Sequence, residues 1–234
     1  MNDKLLNLYN SKWKNLCDAM QPILKDETLE LKPTCPLLLS IGNEEEFKNA
    51  DIRLMVFGQE TNNWYDEFHN DIPSIIECYD SFFSNDKCWG YGGQFWNGVG
   101  RFIELLQTKY SNKKISLIWN NIVKIGKYAE KGFPPNYIYE IERKYFSVIK
   151  EEIEVINPTI VLFLTGPYYD SVITDNFGKL TYSKLSDEFS EREIAKVSLT
   201  GTPFAYRTYH PNYLWRNGIN KYFDTIINDM TLLK

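Results

Sequence analysis

The chain has 234 residues, of which 43% are hydrophobic and 15% aromatic, enough apolar surface for one packed core. Its 26 Lys and Arg against 31 Asp and Glu leave a formal charge of -5, unlike the basic domains that hold nucleic acid by phosphate neutralisation alone. No apolar run approaches the ~20 residues that a bilayer crossing requires, and no secretory pattern opens the chain, so a cytoplasmic protein is expected.

The first element is an amphipathic helix over "LLNLYNSKWKNLCDAM", with Leu5, Leu6, Tyr9, Trp13, Leu16 and Met20 at helical spacing. "DIRLMVFG" follows as a strand that ends at Gly58, and Gln59 and Glu60 come directly after it. The segment 70–93 is long for a connection and rich in rings, which predicts an added helix or a functional loop. "FWNGVGRFIELLQTKY" reads as a helix with Val99, Phe102, Ile103, Leu105 and Leu106 inward. A second strand, "ISLIWNNIVKIG", carries Asn120 and Asn121. One long helix is predicted over 136–156, broken at Asn157-Pro158, and "TIVLFLTG" gives a third strand. A fourth strand is expected near "AKVSLTG", then a loop through "TPFAYRTYHPNYLWRN" and a terminal helix over 219–230.

Near-continuous apolar strands alternating with helices predict a single domain over 1–234. Its fold is expected to be a three-layer α/β/α sandwich around a central, mainly parallel four-stranded sheet. Ligands of such sheets bind beyond the carboxyl ends of the strands. Here those ends are polar: Gly58-Gln59-Glu60, Asn120-Asn121 and Thr165-Gly166-Pro167, with His210-Pro211-Asn212 after the fourth strand.

Four residues there have chemistry to offer. A Glu60 carboxylate can orient or deprotonate water, and an Asn121 amide presents a donor and an acceptor to a base edge. The His210 ring, on an extended loop before proline, can donate to a developing anion. Phe95 stands among glycines that let a ligand approach its ring. Each has a plain structural alternative: a solvated loop glutamate, an Asx turn, a backbone-bonded loop histidine, and a ring packed on the next helix. Cys17, Cys35, Cys78 and Cys88 form no C-x-x-C pair and the two histidines are far apart, so reduced thiols and no metal site are expected. No dinucleotide, phosphate-loop or nucleophile-elbow pattern occurs, and no cofactor is expected.

Taken in order, five segments resemble the uracil-DNA glycosylase superfamily across most of residues 52–217. "VFGQET" is similar to its water-activating motif, "FWNGVGRFIELL" to the segment with the base-stacking Phe, and "NNIVK" to its Asn motif. "EEIEVINPTIVLFLTG" resembles the passage into the third strand, and "YHPNYLWRN" the His-Pro loop that enters the minor groove. The resemblance implies a DNA glycosylase that hydrolyses the N-glycosidic bond of uracil or a related deaminated base flipped out of DNA. Glu60 and His210 would be catalytic, with Gln59 competing with Glu60 for the acid's position in a second alignment frame. Gln59, Phe95 and Asn121 would hold the base, and Lys124, Arg207, Asn212, Tyr213, Leu214 and Arg216 would contact DNA. Thr61-Asn62 departs from the family's motif, and Ile125 stands where its iron–sulfur branch has a cysteine, so no cluster is expected. The alternative is a relative that kept the pocket without catalysis and binds a nucleobase, a nucleotide or a protein.

Overall fold

A computed structural model describes residues 1–62, 64–83 and 87–230. Six strands form one sheet in the order β2-β1-β3-β6-β5-β4. They are β1 (Ile52–Glu60), β2 (Ile115–Val123), β3 (Ile160–Phe163), β4 (Tyr182–Lys184), β5 (Ile194–Val197) and β6 (Phe204–Thr208). β2, β1, β3 and β6 run parallel, whereas β5 and β4 extend the sheet antiparallel beyond β6.

Ten helices are described: α1 (Asn2–Lys25), α2 (Glu44–Lys48), α3 (Ile72–Phe83), α4 (Lys87–Tyr91), α5 (Gly93–Lys109), α6 (Asn136–Tyr145), α7 (Ile149–Ile156), α8 (Asp170–Phe177), α9 (Pro211–Arg216) and α10 (Ile219–Asp229). α1 packs on α6 and α7, with α8 beside α7, while α5 packs on α9 and α10. The α/β/α sandwich follows, because β1 and β3 have fully buried runs from Leu54 to Phe57 and from Ile160 to Phe163 that need cover on both faces.

Three expectations are corrected. The sheet has six strands, not four, and the fourth parallel strand is β6, within the stretch predicted as a loop. β6 was hidden because its inward residues include Arg207 and Thr208, which read as surface types yet are buried. The predicted helix over 136–156 is two helices, interrupted at Phe146 (φ -136, ψ 32) without a glycine or proline. The interruption re-aims the chain: Glu142 and Glu152 are ten residues apart, which on one straight helix would put them roughly 80° apart in azimuth. In the broken form both carboxylates reach the region of Lys124. Segment 70–93 contributes α3, α4 and the start of α5, and its residues 84–86 lie outside the described residues. No described helix is long and apolar enough to cross a membrane.

Candidate functional site

The site begins at a glycine. Gly58 of β1 pairs in register with Asn121 of β2, so the two residues face the same side of the sheet, towards α5. A Cβ on Gly58 would collide with Asn121 Oδ1 and come 3.3 Å from the Phe95 ring. Glycine therefore lets the amide and the ring meet over the strand tip. Asn121 is only 3% exposed, yet its side-chain amide makes no hydrogen bond among the described residues. Its amide is not among the fully buried polar atoms that lack a partner, so the small exposed part of the residue includes the amide, which is open to a ligand or to water.

Phe95 lies in the first turn of α5, and its ring faces His210 with centroids 5.7 Å apart and planes at 27°. Gly98, one helical turn further, brings α9 close: a Cβ there would sit 2.5 Å from the Pro211 ring. His210 has the extended backbone expected before proline (φ -57, ψ 141) and is also the N-cap of α9. Its Nδ1 accepts the Asn212 N–H at 3.1 Å, which leaves the proton of the neutral ring on Nε2. Burial pushes the His210 pKa down, favouring that neutral form.

Glu60 shares the Gly58 face by strand alternation, roughly 7 Å further along β1. Its carboxylate accepts a hydrogen bond from the Tyr169 hydroxyl through Oε2. Tyr169 ends a 3-10 turn (Pro167–Tyr169) that follows β3 through Gly166 at φ 77. Burial raises the Glu60 pKa, and the Tyr169 bond and the charge of Lys127 pull it back in part. Tyr169 escaped sequence reasoning; the only signal was its position two residues beyond a strand tip already noted as polar.

The other predicted residues fall out differently. Gln59 points to the opposite face and donates from Nε2 to the Thr165 carbonyl at 2.8 Å, so it ties β1 to β3 away from Asn121. That removes it as a base contact and as a rival to Glu60. Lys124 is fully buried, with Nζ 2.7 Å and 2.9 Å from the two Glu152 oxygens and 2.9 Å from Asn120 Oδ1. Arg207 is 2% exposed and holds Asp170 through Nε at 2.9 Å and Nη2 at 3.1 Å. Neither cation can reach a phosphate, because each is consumed by an internal carboxylate. Leu214 is fully buried and is not placed to contact DNA as expected. Asn212, Tyr213 and Arg216 are exposed on α9; the Tyr213 ring packs on Tyr209 at 4.3 Å, and Arg216 Nε donates to the Asn212 carbonyl. Thr61 is buried against Gly126 and fills structure, whereas Asn62 is exposed.

A cavity of about 640 Å³ lies elsewhere, by the N-terminal half of β2, lined by Ser40, Phe47, Tyr79, Phe83 and Leu117 among others. None of the predicted site residues belongs to it. Among the described residues no group of three or more His, Cys, Asp or Glu could hold a metal ion.

The arrangement supplies a planar ring surface, a free amide, a neutral N–H donor and a half-buried carboxylate along one sheet face. The sequence matches no protein-family model, and no curated protein matches it at a significant level.

Proposed function

We propose that the chain is a DNA glycosylase that hydrolyses the N-glycosidic bond of uracil or a related deaminated base. The observation that carries this reading is the unpaired Asn121 amide beside Phe95 and the Nε2–H of His210. A base stacked on Phe95 would give Asn121 an acceptor and a donor at once: uracil offers O4 and N3–H, cytosine offers the reversed pair N4–H and N3, and the amide selects uracil when Oδ1 faces position 3 of the base.

A ring sandwiched between two others needs roughly 7 Å between them, twice a carbon–carbon contact. The 5.7 Å between Phe95 and His210 is too narrow, so one of those side chains turns when a base enters. The bond to the base then breaks with its electron pair moving onto the base. His210 Nε2–H stabilises the resulting anion, and the sugar becomes oxocarbenium-like. Glu60 takes a proton from the attacking water. With Oε2 held by Tyr169, Oε1 is the oxygen that faces the water.

The test uses oligonucleotides carrying uracil, hypoxanthine or a G·T mismatch, with alkaline cleavage of abasic sites. Wild type yields product from at least one substrate. Glu60→Gln lowers the rate about 100- to 10,000-fold, and His210→Ala about 100- to 1000-fold. No product with enzyme in excess of every substrate overturns the reading. A second reading, a base-binding module without catalysis, is favoured by one observation: the Glu60 carboxylate is bonded to Tyr169, and among the described residues no hydrogen bond links it to Asn121 or His210. Retained uracil binding with no product would select it.

A further inference from the structure

We infer that this site takes its base from single-stranded rather than duplex nucleic acid, an inference that rests on reading the site as a base pocket. Extruding a paired base has a free-energy cost that duplex-specific proteins offset with phosphate contacts and a side chain inserted into the stack. Here most of those devices are withdrawn: of the described residues expected to supply them, Arg216 is the one cation left exposed, beside Asn212 and Tyr213 on α9. Lys124 and Arg207 are locked into Glu152 and Asp170, and Leu214 is buried beneath α9. The loop from β4 to β5, beside the tip of β6, sets four carboxylates (Asp187, Glu188, Glu191, Glu193) against one cation, Arg192. A densely charged duplex backbone meets little attraction on such a surface.

The same end of the sheet is rich in exposed rings instead. Nine large hydrophobic side chains stand exposed among the described residues, and only Leu6 is not aromatic. Tyr65 follows β1, two rings follow β2, and Tyr168 follows β3. Tyr213 and Trp215 follow β6 on α9, where the Trp215 indole donates to the Gln94 carbonyl beside Phe95. Trp89 and Tyr91 flank the start of α5, and Trp89 packs on Trp96, the neighbour of Phe95. Tyr168 is 80% exposed with the Arg192 guanidinium 4.9 Å from its ring centre. Unpaired bases offer π-faces to such rings whatever their identity, whereas bases inside a duplex have theirs covered. A short unpaired strand, with few phosphates in contact, matches both the rings and the modest positive charge.

The experiment measures anisotropy of a fluorescent eleven-residue oligothymidylate, single-stranded and then annealed to its complement, across a salt series. The same single- and double-stranded contexts carrying one uracil give the cleavage rates. The expected result is single-strand binding at least about tenfold tighter than duplex binding, with a shallow salt slope equivalent to one to three phosphates. Tyr168→Ala and Tyr91→Ala each weaken single-strand binding about tenfold while leaving the melting temperature in place. Equal or tighter duplex binding, no binding to either form, or unaltered affinity in both ring variants would overturn the inference. Single-strand binding without base release removes only the catalytic proposal. Base release with no preference for the single strand removes only this inference.

Discussion

Asn120 and Asn121 are adjacent on β2 and point to opposite faces of the sheet, and their side chains are treated in opposite ways. Asn120 Nδ2 donates to Glu152 at 2.7 Å, and its Oδ1 accepts from Lys124 Nζ and from the Asn121 N–H, both at 2.9 Å. Tyr9 joins the same carboxylate at 2.7 Å, and its hydroxyl accepts the Leu39 N–H. Glu142 closes the end of the strand by accepting the Lys124 and Ile125 N–H groups, with its pKa pushed up to about 7 by burial. Behind β2, then, every polar atom of Asn120 is used. In front of β2, the Asn121 amide makes no hydrogen bond among the described residues and keeps a narrow opening to solvent, the residue being 3% exposed against 0% for Asn120. Polarity at a strand tip is therefore no mark of function by itself; the satisfied face is scaffold, and the unsatisfied face is where a ligand is wanted.

The largest expected effect lies on the scaffold side. Lys124→Met leaves the Glu152 carboxylate buried without its cation and costs about 3–5 kcal/mol in urea unfolding. Adding Glu152→Gln recovers much of that loss, because the orphaned charge is removed. A Lys124→Met protein that unfolds at the wild-type midpoint would show that the plate behind β2 is not a linked unit.

Gly58→Ala acts on the other face. The new methyl must displace Asn121 Oδ1 and crowd Phe95, an overpacking cost of about 1–3 kcal/mol. Base binding and base release are lost along with it, beyond what the drop in stability explains. Unchanged uracil affinity in a folded Gly58→Ala protein would separate Gly58 from the site.

The smallest effect is at Tyr169. Tyr169→Phe removes one hydrogen bond, about 1 kcal/mol. Its diagnostic is the pH profile. Glu60 must be ionised to accept a proton, so activity falls as pH drops through its pKa, which burial already holds above the ordinary glutamate range. The Tyr169 bond lowers that pKa, so its loss raises the pKa and moves the acid limb to higher pH. A limb that stays in place would mean that Tyr169 does not bear on the ionisation of the working carboxylate.

The sequence made the sandwich legible through the apolar runs Leu54 to Phe57 of β1 and Ile160 to Phe163 of β3, because strands covered on both faces cannot hide their composition. It also exposed the polar tips, since Gly58 and Glu60 follow the first of those runs and Asn121 lies towards the end of β2. What it hid was pairing at a distance. Lys124 and Arg207 read as free cations because their partners, Glu152 and Asp170, are 28 residues ahead of one and 37 behind the other. The same blindness concealed β6, whose buried Arg207 looks like a surface residue until Asp170 is seen against it. Leu214 reads as a DNA contact because a stretch expected to be a loop does not reveal that it closes into α9 with Leu214 on the side that faces the core. Asn121 was separable from Asn120 only by strand parity, and parity alone does not say which face is already satisfied.

The most direct test compares the two asparagines by NMR, following both side-chain NH₂ resonances while uracil is titrated into the wild-type protein. The account predicts that the Asn121 pair shifts with saturation, in step with the His210 ring, while the Asn120 pair stays in place. Movement of Asn120 alone, or a silent Asn121 at saturating uracil, would contradict a base site in front of β2.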